Sequence, residues 1–533
     1  MRLIVAAFSV GGRPSLANLQ AMFADTDVVA MARNTLVLTL GGAAVATALG
    51  TLIAITVTVV PSRRSERRAL QLVPAVPFTL PPIVGAIGWL FLLAPRVGWL
   101  NILLRWALRS PAATGPVSAY SLPVVIGVTG LYVVPYVYTV MATSLSRLST
   151  ELLEGYQVCG ATAWGAMART IAGPLRPAFM AAVTLAIMHS LSQFSIPLIL
   201  GLDVLTTHMY RQITFLGDYG AAAAVGLPLL VVAVVLTTAQ LRLTGQGGRA
   251  VTLSARGTSV RPFSLGRASD AALRWIAYAY VVVAGLLPIS AIVLVSFLDF
   301  WQPSFTWSDL RPANYLDVWN NELARAGAMT SLTLGIACAI AATALALLVV
   351  VLVERGGGLP ARAAYFFANL PLGIPLVLFG LAMLLAFISR PIVLYGTIWI
   401  LVLAYVVAFL PVAVRNVGPV FQQIARELEE AAAMSGAPWH RVARRITVPL
   451  VMPGLTASAA LLFILIFREF SIAAFVSTPS TNVIAMSLLA FNDSGNWPYV
   501  AVLSVFLSAV SIAGIALTSA VAGRFEIGRG PGA

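Results

Sequence analysis

The sequence contains no lysine, so its 33 basic residues are all arginine and, set against 19 acidic ones, leave a net charge of +14. Without lysine a G-x-x-x-x-G-K-[ST] phosphate cradle cannot be completed, and Gly356–Gly358 is a short turn rather than a nucleotide loop. The chain is therefore not expected to hydrolyse ATP itself. Cysteine is nearly absent too: Cys159 and Cys338 are too few and too far apart for a disulfide framework, and both are expected to be inert. The three histidines, His189, His208 and His440, lie in separate segments with no carboxylate cluster joining them, so no metal site and no cofactor is expected. Charged residues of both signs make up only 10% of the chain, which excludes a soluble globular protein of this length. They also leave no polar domain on which the arginines could form a nucleic-acid surface.

What is present is apolar. Hydrophobic residues account for 59% of the chain and the mean hydropathy is +0.92. A helix needs about 20 apolar residues to cross a bilayer. Charge-free runs of that size lie at 34–62, 69–95, 110–146, 177–202, 219–241, 275–298, 326–353, 363–389, 391–414, 446–477 (passing Arg468 and Glu469) and 494–523. The pattern predicts an all-α polytopic membrane protein with about 11 transmembrane helices. If the spans alternate, the arginine-rich segments 61–69, 169–176, 242–274, 355–362, 441–445 and 524–529 share one face. By the positive-inside rule that face is cytoplasmic, although Arg96, Arg105 and Arg109 fall on the other. Met1 and Arg2 precede an apolar stretch too short for a cleavable signal peptide.

The chain also repeats itself. Asn34–Leu49 aligns with Thr330–Leu345, and Gln193-Phe194-Ser195-Ile196 aligns with Glu469-Phe470-Ser471-Ile472. The expected organisation is a first domain over 1–242, a solvated Arg/Gly/Ser linker over 243–274 and a second domain over 275–533, each domain with five to six helices. The second half opens with a full span at 275–298, whereas the start of the chain matches only the end of that span and the loop after it. Either the first domain has five helices or, the favoured reading, it has lost most of its first helix.

Between two spans of the second half lies a polar segment, Glu427–Pro453, in which Glu430-Ala431-Ala432 is followed by Gly436, Trp439, Ile446 and Pro449. Leu, Glu and Ala favour helix over 428–434, Gly436 permits a sharp turn, and Pro438 and Trp439 suit the first turn of a second helix. A degraded copy stands in the first half as Glu154, Gly155, Gly160, Trp164, Ile171 and Pro174. In both, Ile follows the Trp by seven residues and Pro follows it by ten. A single loop of this kind is also what a helix lying on lipid phosphates looks like. The duplication and matched placement favour a rigid coupling element.

The pattern resembles the cytoplasmic EAA loop of permease subunits of binding-protein-dependent ABC importers of type I. The chain looks like a fused, two-domain permease of that class, similar to ferric-iron uptake permeases in Phe467-Arg468-Glu469-Phe470-Ser471 and in Ser195–Gly201. The resemblance implies a multi-pass protein of the bacterial plasma (inner) membrane that binds two copies of an ATPase subunit at its cytoplasmic face. It further implies an external binding protein that delivers the solute, expected to be ferric iron; the alternatives are thiamine, 2-aminoethylphosphonate or a polyamine. An ion-coupled secondary transporter is the rival class. An intramembrane enzyme is disfavoured because no paired catalytic groups occur in the spans. Gly155 and Tyr156 replace the two alanines in the first loop, and its Gly-to-Pro interval is one residue longer, so the two loops are expected to dock unequally. Gln193, Arg468 and Glu469 are charged or polar groups within apolar runs and are candidates for the translocation path.

Overall fold

A backbone surrounded by lipid must satisfy its polar groups internally, which leaves helix as the form available to runs this apolar. The computed structural model describes residues 2–10, 13–73, 79–250 and 262–527, with the side chains of Arg64, Arg68, Gln71, Leu72, Trp439, 244–250 and 519–527 outside the description. Among the described residues it is all-α apart from a two-residue antiparallel pairing, Ser9–Val10 with Arg13–Pro14, and an isolated bridge between Leu298 and Leu310. Among the described residues nine helices are long and apolar enough to cross a membrane, or ten if the bent pair Gly358–Gly373 and Leu376–Phe387 counts as one span.

The difference from eleven comes from breaks at proline. The run 69–95 contains the short helix Pro82–Leu93, which begins at the Pro81-Pro82 pair. The run 363–389 turns by 112° between its two helices, beside Pro371 and Pro375. Proline lacks the N–H that would continue the ladder and clashes with the preceding turn, so an apolar run that contains it need not be a single rod. The run at 446–477 also stops early: its helix, Val448–Phe467, ends before Arg468 and Glu469, which sit in a turn leading to the short helix Ala473–Val476.

The chain divides into two compact units, the first running to Asn314 and the second from Tyr315 onward. In the first, the spans Thr26–Thr58, Leu122–Leu145 and Arg176–Leu191 pack together, and Tyr219–Ala250 lies against the last of them. The helices Arg267–Val281 and Leu287–Ser296, joined by a π-helical turn at Val282–Leu286, also belong to this unit. Pro288 has no N–H to give the carbonyl of Ala284, one turn earlier, and the Tyr132 hydroxyl donates to that carbonyl at 3.4 Å. Tyr280 returns the contact, its hydroxyl donating to the Leu131 carbonyl at 3.0 Å. Gly88 lies so close that a Cβ there would stand 2.7 Å from Pro288, a spacing that only glycine allows.

In the second unit Glu322–Val351 packs on Ile398–Gln422 and Val448–Phe467, and the last of these packs on Trp497–Ile527. Of the expected linker, 251–261 lies outside the described residues. The part from Pro262 onward is folded rather than solvated: Phe263 and Leu265 are buried, and helix begins at Arg267. Two apolar residues spaced by two carry no helical period, so the sequence alone reads as a tether here.

Candidate functional site

The two polar loops fold alike. In the first, Ser149 caps the helix Thr150–Val158, its side chain accepting from the Glu151 N–H at 3.3 Å. In the second, the corresponding helix is Arg426–Met434. Each helix ends in the same turn. The Gly160 N–H donates to the Gln157 carbonyl at 2.9 Å and Ala161 to Tyr156 at 3.0 Å; Gly436 donates to Ala433 at 2.9 Å and Ala437 to Ala432 at 3.1 Å. The glycines take φ of +84° and +78°, the left-handed region that closes helices. The departure of the first loop from the sequence pattern thus does not reach its turn.

A second helix follows in each loop. Thr162 caps Ala163–Ala172 through its hydroxyl, which accepts from the Gly165 N–H at 3.0 Å. In the second loop the Pro438 carbonyl accepts from Arg441 at 2.9 Å over the short helix Trp439–Val442, and a π-helical turn at Ala443–Thr447 leads into the next span.

Glu154, Gly155, Gly160, Trp164 and Pro174 are exposed on the first loop, and Glu430, Ala431, Gly436 and Pro449 on the second, with Ala432 and Ile446 half-buried. Sequence reasoning passed over the two large apolar side chains that, among the described residues, the fold presents most openly. Val158 is 88% exposed and Met434 90% exposed, and they hold the same repeat position, each two residues before the turn glycine. The signal was available in the register of the repeat. An apolar residue inside a helix-forming run reads as core until the fold shows which way it faces.

The loops differ at their bases. In the second, Arg355 Nε donates to Glu429 Oε2 at 2.7 Å, and the Thr447 hydroxyl donates to Glu429 Oε1 at 2.7 Å. The Arg355 guanidinium also lies 4.8 Å from the Phe421 ring centre. Gln422 Nε2 donates to Glu354 Oε1 at 2.7 Å. One carboxylate therefore ties the loop to two neighbouring spans. In the first loop the repeat positions of Arg355 and Glu429 are Val59 and Leu153, and both are buried in an apolar cluster with Met167, Leu175 and Phe263.

The candidate path residues lie at breaks in their spans. Gln193 stands between Arg176–Leu191 and Ser195–Ile199, and its carbonyl accepts from the Thr206 hydroxyl at 3.1 Å. Glu469 is 6% exposed, and its carboxylate accepts from the backbone N–H of Ile472 at 2.9 Å and of Ala473 at 3.3 Å. It caps the short helix that follows, as a carboxylate does at a helix N-terminus. Arg468 precedes it in the same turn and is half-buried. Among the described residues no three His, Cys, Asp or Glu side chains gather where they could hold a metal ion. Cys338 is buried, whereas Cys159 is exposed beside Gly160.

The family described as "Binding-protein-dependent transport system inner membrane component" matches this chain twice, over 46–244 and 346–527, and each match contains one of the two loops. A putative 2-aminoethylphosphonate transport system permease protein, PhnV of Salmonella paratyphi A, is 28% identical over 236 residues, which is 43% of this chain and 86% of that protein. The putrescine transport system permease protein PotI of Escherichia coli K12 is 33% identical over 37% of this chain and 74% of its own length. The Fe(3+)-transport system permease protein FbpB 2 of Haemophilus influenzae is 21% identical over 73% of this chain and 74% of its own length. With two copies of the domain in one all-α, multi-pass chain, this protein belongs to the binding-protein-dependent transport system inner membrane component family and is a fused, two-domain type I ABC-importer permease.

Proposed function

We propose that this chain supplies the whole transmembrane pathway of an ATP-driven importer and that each loop docks one copy of a separate ATPase subunit. The observation that carries this reading is the matched pair of helix–glycine–helix turns, each with an exposed apolar residue, Val158 or Met434, beside it. A lone exposed apolar residue needs no partner, but the same exposure at the same repeat position of both loops is what two copies of one partner would read. Glu154 adds negative charge beside Val158, whereas Glu430 is paired with Arg426 at 3.0 Å, so what the two loops offer a partner in common is apolar. The solute reaches the other face on an external binding protein. Purifying the chain with its ATPase and counting two ATPase copies per chain tests the reading; transport by the chain alone under an ion gradient would make it a secondary transporter instead.

The cargo reading is ferric iron. It rests on the segment Phe467–Ser471 and on the ferric permease relative, which aligns across both fused halves. A polyamine or 2-aminoethylphosphonate is the second reading, favoured by higher identity to single-domain permeases for those solutes. Uptake into proteoliposomes, driven by the cognate binding protein loaded in turn with ferric ion, putrescine and 2-aminoethylphosphonate, separates the two.

A further inference from the structure

The first loop lacks the Arg355–Glu429–Thr447 tie of the second, yet it is not free at its base. Leu153, 2% exposed, shares its cluster with Phe263 at 6% and Leu265 at 4%, two residues from the stretch that joins the halves. The Phe263 N–H donates to the carbonyl of Val59 at 2.9 Å, just past the end of the span Thr26–Thr58, where helix carbonyls lack intrahelical partners. The Trp164 indole N–H donates to the Ser269 hydroxyl at 3.0 Å.

The stretch is shaped for this contact by its own bonds. Asp270, 5% exposed, accepts from the Leu265 N–H at 3.0 Å through one carboxylate oxygen and from the Ser264 hydroxyl at 2.6 Å through the other. Gly266 turns the chain with φ of +110°. Arg274 then fastens the following helix to the end of the first span, donating to the Pro61 carbonyl at 3.1 Å and pairing with Glu66 at 3.6 Å.

We propose that Pro262–Ser269 is an intramolecular bracket that positions the first coupling loop, with Phe263, Leu265 and Ser269 as its positioning residues. It does with buried apolar surface and one indole hydrogen bond what a half-buried ion pair does for the second loop. The chain thus carries within itself a contact that sets the first loop before any ATPase arrives. This inference rests on the coupling reading above only for its consequence in transport; the positioning is a property of the chain.

The test uses the full chain in nanodiscs with its ATPase, and hydrogen exchange read separately over 150–172 and 426–447. The double variant Phe263→Gln with Leu265→Gln is expected to raise exchange over 150–172 at least tenfold and leave 426–447 within twofold, whereas Phe263→Leu with Leu265→Met restores protection to within threefold. Ser269→Ala alone is expected to raise exchange around Trp164 severalfold. Unchanged exchange over 150–172, or an equal rise in both loops as from general destabilisation, overturns the proposal. A rise confined to 150–172 with two ATPase copies still bound leaves the bracket standing and shows that docking at that loop does not depend on it.

Discussion

Arg355 and Glu429, 74 positions apart in sequence, face each other at 2.7 Å and tie the end of one span to the first helix of the second loop. Both are largely enclosed, with side-chain exposures of 24% and 18%, so the pair is screened less than a surface contact. A motor that pulls on the loop therefore pulls on the span through a bond of fixed geometry. We expect Glu429→Ala to cost about 1–2 kcal/mol locally, because Arg355 and the Thr447 hydroxyl both lose their acceptor. ATP hydrolysis should continue while solute uptake per ATP falls, and the exchanged pair Arg355→Glu with Glu429→Arg should recover part of the loss. Paired ATPase and uptake rates measure this, and an unchanged ratio in Glu429→Ala would show that the tie carries no force.

Gly160 and Gly436 share a left-handed backbone, and a Cβ at either would meet nothing within 4 Å. Alanine therefore costs only backbone strain, about 1–2 kcal/mol at each site. Proline would impose a negative φ and remove the N–H that each glycine donates, to Gln157 or Ala433. Equal impairment is expected from the two glycine-to-proline variants, in contrast to the unequal effect that the degraded first motif suggests. Uptake assays at matched protein levels decide this.

Val158 and Met434 lie open on the two loops. Aspartate at either position should leave the fold intact, since neither side chain is packed, but should place an unpaired charge in the partner cleft. Each single variant is expected to retain one ATPase copy and the double variant none, read by native mass spectrometry of the purified complex.

Cys159 sits at the turn of the first loop and is exposed, whereas Cys338 is buried. A membrane-impermeant maleimide should label only the former, and only from the face that bears the loop. Bound ATPase should slow that labelling at least tenfold, and equal rates with and without ATPase would count against docking at this loop.

Glu469 serves first as a cap, its carboxylate taking the N–H groups of Ile472 and Ala473. Glu469→Ala should leave these donors unpaired at a cost of about 1–3 kcal/mol, seen as a lower melting temperature. Glu469→Gln keeps one acceptor oxygen and should lose less. If the Gln variant is as stable as the native chain and yet transports nothing, Glu469 belongs to the path as well.

The class of this protein was legible in the order of its residues. Long charge-free runs force helix, and a motif repeated in register marks two loops with the same turn, because each of these signals is local or periodic. The tertiary structure decided what those signals could not. Proline breaks such as Pro371 and Pro375 reduced the spans, since an apolar run does not report its own bend. The carboxylate of Glu429 acquired its meaning from Arg355, far away in sequence, and Leu153 acquired its own from Phe263. The two loops share a turn that short-range spacing encodes. They are held at their bases by different forces, ionic in one and apolar in the other, because those depend on which distant residues packing brings alongside.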